Sequence, residues 1–203
     1  MTTEARRTVT KRKAATRREL LDAAERLFDE LGFAATSPGD VAAAAHIGRT
    51  TFYEYFTDTE DLLAALVEER LPEVTEEIVG AIDREVPIED QLAELSVRMV
   101  EFASTDHVLG LQLHQGLPTL SPPTQRRIAA AHRSLSAEFA RIYQTGVAGG
   151  VFRQMPTDLA GVFVQDLTMA AAKRLMTLDE PKTRLHEVAD ELVAFLLNGL
   201  GGK

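Results

Sequence analysis

Three adjacent side chains, Arg49, Thr50 and Thr51, carry chemistry that is suited to reading a nucleic acid. A guanidinium group can donate two hydrogen bonds to guanine, and threonine methyl groups can contact the methyl group of thymine. Ahead of them, Thr36 and Ser37 offer hydroxyls, and a helix that starts at Ser37 would add backbone amides that bind phosphate oxygens. These groups can bind DNA without making or breaking a covalent bond.

A short helix is predicted to begin after Ser37. Ser37 is a favourable N-cap, Pro38 suits the first helical position, and Asp40 stands where a capping box places its acceptor. Residues 41–45 are mostly alanine, so this helix can pack closely against a neighbour. The pattern predicts a helix that ends at about residue 45.

A second short helix is predicted over residues 49–56. The connection at residues 46–48 is three residues long, with Ile47 as its apolar side chain. Phe52 and Phe56 are four positions apart, so they share the inward face and leave the arginine and the threonines on other faces. Two short helices joined in this way predict a helix-turn-helix, although such pairs also occur in all-helical proteins that never bind DNA.

The wider sequence resembles the N-terminal domain of the TetR family of bacterial transcriptional regulators. The resemblance covers roughly residues 16–66 and belongs to the run as a whole rather than to any single residue. It is carried by Gly32-Phe33, Thr36, the alanine-rich helix, the run TTFYEYF at residues 50–56 and Leu62-Leu63.

The resemblance implies how the protein would act. Tyr53 matches the family's tyrosine that hydrogen-bonds a phosphate, and Tyr55 occupies a second DNA-facing position of the family. Family members hold a small molecule among their C-terminal helices, and its binding shifts the fourth helix and releases the operator. The chain is therefore expected to be a homodimeric repressor that binds a palindromic operator and is released by a small molecule.

Three positions depart from the family pattern, and a fourth residue, Glu54, needs an explanation of its own. His46 replaces a glycine in the turn, which predicts a different turn backbone. Thr50 replaces a frequent glycine, and Thr59 replaces a lysine that contacts phosphate, a loss for which basic residues near the N-terminus can compensate. Glu54 would be repelled by phosphate unless it turns away or accepts a hydrogen bond from a cytosine amine.

Charge is distributed unevenly along the chain. The net charge is −9, but residues 1–56 hold nine basic and eight acidic side chains, against 13 and 23 in the remainder. The basic residues near the N-terminus include Arg12, Lys13 and Arg17, which are candidates for DNA contacts. A solvated tail or a polybasic segment at a membrane surface would have the same composition.

The spacing of apolar residues predicts an all-α fold of about nine helices. Residues 1–15 lack this spacing and are expected to form a flexible basic arm, and Thr16 with Glu19 forms a capping box that begins the first helix. Residues 16–57 are the predicted DNA-binding domain, and residues 58–203 are a predicted helical ligand-binding and dimerisation domain.

The same spacing places the helices of the second domain. Thr57 and Glu60 form a capping box for the first of them, and Pro72 either bends that helix or divides it. The other helices are expected at residues 88–104, 105–115, 124–148, 158–176 and 182–198, with a loop at 116–123.

Side chains of the second domain could line an apolar pocket that has a few polar groups, although each apolar one could equally be ordinary core. His107 and His114 are seven residues apart, so they share a helix face and could hold a metal with Gln115 or His132, but no metal site is predicted. The candidate pocket residues are Met99, Phe102, His107, His114, Phe139, Tyr143, Phe163 and Met169.

The last two helices have wider apolar arcs than one packing partner needs, which predicts a homodimer interface. The family resemblance implies the same four-helix interface. The candidate interface residues are Val162, Leu167, Ala171, Leu185, Val188, Leu192, Phe195 and Leu196.

The sequence has no nucleophile elbow, no phosphate-binding glycine loop and no cysteine, so no catalytic residue and no cofactor are predicted. No apolar run approaches the length of a membrane span, and the lack of cysteine suits a reducing compartment, so the protein is expected in the cytoplasm. The alternative function is an all-helical module that binds a small molecule and has no role on DNA.

Overall fold

The structure is a computed structural model that describes residues 3–106 and 108–201. Within these residues the chain forms ten α-helices, a π-helical segment at Val108–Gln112 and no β-strand, so the expected all-α fold is confirmed. The helices are α1 (Thr3–Leu31), α2 (Pro38–Ala44), α3 (Arg49–Phe52), α4 (Thr59–Gly80), α5 (Ile88–Thr105), α6 (Leu113–Gly116), α7 (Pro122–Ala131), α8 (Arg133–Ala148), α9 (Thr157–Met176) and α10 (Pro181–Leu200).

The chain divides into two compact units. We call Met1–Glu69 together with Pro118–Ile128 the head, and Arg70–Leu117 together with Ala129–Lys203 the body. The sequence placed the domain boundary between residues 57 and 58, at the start of α4. The compact head is larger than this, because it also includes the first half of α4 and most of α7.

The core of the head is made by α1, α2 and α3. Helix α1 packs against α2, and α2 packs against α3. Apolar side chains from all three helices are buried, as the spacing of these residues predicts. They include Leu20, Leu21, Ala24 and Phe28 of α1, Val41 of α2, and Phe52 of α3, together with Phe56.

Helix α1 begins at Thr3, so the predicted helix start at Thr16 is wrong, and the helix takes in most of the segment that was predicted to be a flexible arm. Residues 10–15 are exposed, and their lysine, arginine and alanine side chains favour helix without an apolar face. Extending a formed helix costs far less than nucleating one. Apolar spacing therefore cannot reveal this extension.

The core of the body is built from α5, α8, α9 and α10, of which α5 contacts each of the other three. The ring of Tyr143 is stacked between two phenylalanine rings, at centroid distances of 6.1 Å to Phe139 and 6.3 Å to Phe152. Its hydroxyl donates to the carbonyl of Arg153 at 2.9 Å and accepts from the amide of Met155 at 2.8 Å. The buried tyrosine thus has its polar end satisfied.

One carboxylate is buried in the body. Glu138 is 7% exposed and accepts from Nη2 of Arg141 at 2.8 Å and from Nη2 of Arg84 at 3.2 Å. Arg141 also donates to Oε1 of Gln91 at 2.7 Å, and the amide nitrogen of Gln91 donates to the carbonyl of Val86. This network joins α8 to α5 and to the loop before it.

Two helices predicted in the second half of the chain need correction, and the alternatives left open at Pro72 are decided. Helix α4 continues through Pro72 as one helix, so the proline does not divide it. The helix predicted over 124–148 is two helices, α7 and α8, which are separated at His132 although no proline or glycine stands there. The helix predicted over 105–115 is instead the π-helical segment followed by α6.

Candidate nucleic-acid interface

The side chains of α3 and the turn after it divide into a buried set and an exposed set. Phe52 and Phe56 are buried, as predicted, while Arg49, Thr50 and Tyr53 are exposed. Thr51 and Tyr55 are partly exposed. The α-helix itself ends at Phe52, earlier than predicted. The next residues form tighter i→i+3 bonds, from the amide of Glu54 to Thr51 and from that of Tyr55 to Phe52.

The start of α2 is capped as the sequence predicts. The Ser37 side chain accepts from the amide of Asp40 at 3.3 Å, and the Asp40 carboxylate accepts from the amide of Ser37 at 3.0 Å. The Ser37 hydroxyl also donates to the Asp40 carboxylate at 2.6 Å, and these bonds hold the pKa of Asp40 below its usual value. Ser37 is exposed, but its hydroxyl proton is already donated to Asp40, so this side chain can donate to a phosphate only if it turns away from that carboxylate.

Thr36 does not offer the free hydroxyl that the sequence interpretation gave it. Its side chain is buried, with 6% exposure, and its hydroxyl donates to the carbonyl of Gly32 at 2.9 Å. A hydroxyl has one proton to donate, and here that proton is used inside the head. Thr36 therefore anchors the end of α1 to the start of α2 and is not an exposed contact residue.

The turn between α2 and α3 keeps the backbone that glycine would adopt. His46 has φ +56°, its amide donates to the carbonyl of Ala43, and the amide of Ile47 donates to that of Ala42. This pair of bonds is a Schellman motif, in which the left-handed position is usually glycine. The expectation that His46 changes the turn backbone is therefore wrong, because the histidine itself takes the left-handed conformation.

The basic residues of α1 differ in their surroundings. Arg12 and Lys13 are exposed. Arg17 donates to Glu69 at 2.6 Å and lies 5.6 Å above the ring of Phe56. Arg18 donates to the same carboxylate at 2.9 Å. Because Glu69 belongs to α4, the first role of Arg17 is to pack α1 against α4.

The start of α4 is capped by residues other than those predicted. The amide of Asp61 donates to the Asp58 side chain at 2.8 Å, and the Asp61 carboxylate accepts from the amide of Thr57 at 2.9 Å. Glu60, which was predicted to pair with Thr57, accepts from the amide of Ser121 at 3.0 Å and from the hydroxyl of Thr124 at 2.9 Å. The predicted capping box is thus shifted, because Glu60 has partners at the start of α7.

Arg127 of α7 is a residue of the head that sequence reasoning missed. It donates to Glu68 at 2.9 and 2.8 Å and to Asp61 at 2.6 Å. These bonds raise the pKa of Arg127, with Glu68 as the main cause. The partners are about sixty positions away in the sequence, so no local pattern could have indicated them.

A cavity of about 430 Å³ lies in the body. Only Phe102 of the predicted pocket residues lines it; Phe139 and Tyr143 are buried in the core instead, and Phe163 is exposed. Met99, His114 and Met169 are partly exposed and do not line it, and His107 lies outside the described residues. The cavity is lined by Arg70, Val74, Glu77, Ile78, Arg98, Glu101, Phe102, Thr105 and Asp106.

The predicted interface residues also separate into two groups. Val162 and Phe195 are exposed, with Phe195 the most exposed large apolar side chain of the described residues, at 65%. Leu192 and Leu196 are buried in the body core, so they are not free to contact a second copy. The others, Leu167, Ala171, Leu185 and Val188, are partly buried against that core.

Membrane-spanning helices and metal-binding clusters are both absent from residues 3–106 and 108–201. None of their helices is long and apolar enough to cross a membrane. They contain no group of three or more histidine, aspartate or glutamate side chains that could hold a metal ion.

Comparison with known proteins gives the family. The model for the N-terminal domain of the bacterial regulatory proteins of the tetR family matches residues 20–66. The model for a tetracyclin repressor-like C-terminal domain matches residues 85–173. The two matches together span more than half of the chain, and the match to the N-terminal model precedes the match to the C-terminal model.

Individual proteins agree with these models. The HTH-type transcriptional regulator YhgD of Bacillus subtilis is 23% identical over 152 residues, which cover 74% of this chain and 79% of that protein. AcrR of Shigella flexneri is 36% identical over 70 residues, 34% of this chain and 30% of that protein.

Solved structures share the fold. The transcriptional regulator FadR of Bacillus subtilis, in complex with stearoyl-CoA, has a TM-score of 0.74 at 19% identity over 90% of this chain and 98% of that chain. A tetR-family protein of Rhodococcus RHA1 has a TM-score of 0.71 at 22% identity over 93% of this chain and 98% of that chain. The chain therefore belongs to the TetR family, and it is a transcriptional regulator with a helix-turn-helix DNA-binding domain and a helical C-terminal ligand-binding domain.

Proposed function

We propose that this regulator is a homodimeric repressor that binds a palindromic operator and leaves it when a small molecule binds the body. The observation that carries the proposal is the division of α3 into a buried and an exposed side. Phe52 is fully buried, while Arg49 and Tyr53 are exposed within four residues of it. A helix anchored by one side and free on the other can enter the major groove of DNA.

The exposed side chains would have different roles in the groove. Arg49 lies in the first turn of α3, where its guanidinium can pair with O6 and N7 of guanine. Thr50 and Thr51 can contact thymine methyl groups, and Tyr53 can hydrogen-bond a phosphate oxygen. Tyr55, Ser37 and the exposed cations Arg12 and Lys13 would add contacts to the backbone.

The apolar side chains left exposed on the last two helices support a dimer. Leu159, Val162 and Phe163 of α9 are exposed at spacings of three and four residues, so they share one side of the helix. Phe195 of α10 is exposed as well. A second copy of the same surface would bury these groups about a two-fold axis, and the operator would then carry inverted half-sites about 34 Å apart or a multiple of this.

The effector would bind in the body. The cavity there has an apolar part at Val74, Ile78 and Phe102 and charged groups around it. The structurally similar FadR was solved with stearoyl-CoA, so acyl-CoA thioesters are sensible first probes. A repressor of this kind works in the cytoplasm, where the bacterial chromosome lies.

A titration against the DNA upstream of the protein's own coding region tests this proposal. Binding should be specific over a scrambled duplex and should weaken steeply when salt is raised from about 50 to 200 mM, because phosphate contacts release counterions. Sedimentation of the same samples should give two copies per operator. If no DNA is bound at low salt, the protein is the alternative, a helical small-molecule-binding module.

A further inference from the structure

Arg127 of α7 holds two carboxylates of α4 at once. Its Nη1 donates to Oδ1 of Asp61 at 2.6 Å, and its Nε and Nη2 donate to the two oxygens of Glu68 at 2.9 and 2.8 Å. All three residues belong to the head. A planar guanidinium that forms such paired bonds fixes the position of its acceptors more strictly than a single point charge would.

The second carboxylate oxygen of Asp61 contacts Thr57, which lies four residues earlier in the chain. Oδ2 accepts from the amide of Thr57 at 2.9 Å and from its hydroxyl at 3.3 Å. Thr57 directly follows Phe56, whose amide donates to the carbonyl of Phe52 at 3.0 Å and closes the turn after α3. We call α3 and the turn after it, residues 49–56, the reading element; one carboxylate thus connects Arg127 to Thr57, the residue that directly follows this element.

The start of α7 is fixed on α4 by a second set of bonds. Glu60 accepts from the backbone amide of Ser121 and from the hydroxyl of Thr124. The side-chain hydroxyls of Ser121 and Thr124 lie 2.9 Å apart and share a hydrogen bond. Bonds from Ser121 hold the pKa of Glu60 below its usual value. Arg127 therefore acts from a helix whose own position on α4 is set independently.

We infer that Arg127 is a positioning residue for the reading of DNA: it orients Asp61, which fixes Thr57 and hence the end of the α3 reading element. The inference rests on the proposed role of α3 in the major groove. Bidentate bonds to a base edge need a narrow range of geometry, whereas contacts to the phosphates tolerate small displacements. Loss of Arg127 should therefore reduce discrimination between sequences more than it reduces affinity for DNA in general.

The test compares Arg127→Ala with Arg126→Ala, which removes the same charge from the exposed neighbouring position. The probes are a duplex that the wild-type protein selects from a random-sequence library and a scrambled duplex of the same length and composition. Fluorescence anisotropy at one salt concentration gives the dissociation constant of the scrambled duplex divided by that of the selected duplex. We expect this ratio to fall about tenfold in Arg127→Ala, the effect of losing one good base contact, and to stay unchanged in Arg126→Ala.

A second variant covers the case in which Arg127→Ala does not fold. Asp61→Asn keeps the size of the side chain and leaves the Arg127–Glu68 pair in place, but removes the charge that holds Arg127 against Asp61. It should lower the ratio to a similar degree, and the double variant should be no worse than either single one, because both act through one connection. The inference would be overturned if a folded Arg127→Ala or Asp61→Asn variant kept the wild-type ratio. It would also be overturned if the two losses added in the double variant, or if Arg126→Ala lowered the ratio equally. A wild-type protein that selects no sequence would contradict the proposed function itself.

Discussion

Phe52 and Tyr53 are consecutive residues whose rings meet edge to face, with centroids 5.4 Å apart and an interplanar angle of 82°. Phe52 is fully buried, and Tyr53 is 49% exposed. The buried ring fixes the exposed one against the head, so the Tyr53 hydroxyl is presented to solvent by a rigid neighbour. A phosphate contact made from such a position costs little side-chain entropy.

Tyr53→Phe should weaken binding to every DNA sequence by the same factor. The change would remove the proposed hydrogen bond to a charged phosphate, which is worth about 1.5–3 kcal/mol, and would leave the ring contact with Phe52 in place. Dissociation constants for the selected and the scrambled duplex measure this. The melting temperature serves as the control and should be unchanged. A loss confined to the selected duplex would mean that Tyr53 reads a base.

His46→Gly should stabilise the head by about 1 kcal/mol. The left-handed conformation at φ +56° brings the Cβ atom of a non-glycine residue too close to the following carbonyl oxygen, and glycine avoids this contact. Urea unfolding measures the change. His46→Val is the matched control and should destabilise, because a β-branched side chain tolerates this conformation least. A destabilised glycine variant would show that the imidazole contributes more than its backbone costs.

Gly146→Ala should destabilise the body by about 1–3 kcal/mol, since overpacking a well-filled core forces side chains to move. An added Cβ atom would lie 2.1 Å from a ring carbon of Phe152, which itself stacks on Tyr143. Gly161→Ala provides a control on α9, where the new atom would meet Phe139 at an ordinary 3.7 Å. Thermal unfolding should separate the two variants. Equal melting temperatures would contradict the close packing at Gly146.

Glu138 should make the stability of the body depend on pH in the acid range. Burial raises the pKa of this carboxyl, but the hydrogen bond from Arg141 and the charges of Arg141 and Arg84 outweigh it, so the pKa is lowered overall. A lowered folded-state pKa gives stability that is fully present above the ordinary pKa of a glutamate carboxyl and is lost as pH falls through the folded-state pKa. The melting temperature should therefore drop as pH falls from about 5 to 3.

Glu138→Gln isolates this contribution. At neutral pH the variant should lose about 2 kcal/mol, because the hydrogen bonds from both arginines are no longer made to a charged group. Its melting temperature should also fall less between pH 5 and 3 than that of the wild type. Glu187→Gln is the control, since Glu187 forms an exposed ion pair with Arg184 that solvent screens. Identical pH profiles for Glu138→Gln and the wild type would refute the assignment.

Local patterns were enough to find the reading motif. The Ser37–Asp40 capping box and the four-residue spacing of Phe52 and Phe56 involve neighbours in the sequence, and the structure has both. The same kind of reasoning misplaced the cap of α4, because it could not know that Glu60 has partners on α7. Sequence neighbours compete with distant partners for one side chain, and only the fold decides between them.

The features that were missed depend on long-range contacts or on exposed helix. Arg127 meets carboxylates about sixty residues away, and the first turns of α1 have no apolar side to detect. In the body, apolar residues at helical spacing could be core, cavity or interface. Periodicity does not separate Phe139, which is core, from Phe102, which lines the cavity, or from Phe195, which is exposed.

The most direct test of the account is the sequence preference of Arg49→Ala, measured as dissociation constants for duplexes that differ at each position of the selected half-site. The account predicts that binding to the selected duplex weakens by about 1–3 kcal/mol and that the preference for one base pair is lost while the others are kept. Unchanged affinity together with an unchanged preference at every position would contradict the placement of α3 in the major groove with Arg49 at a base edge.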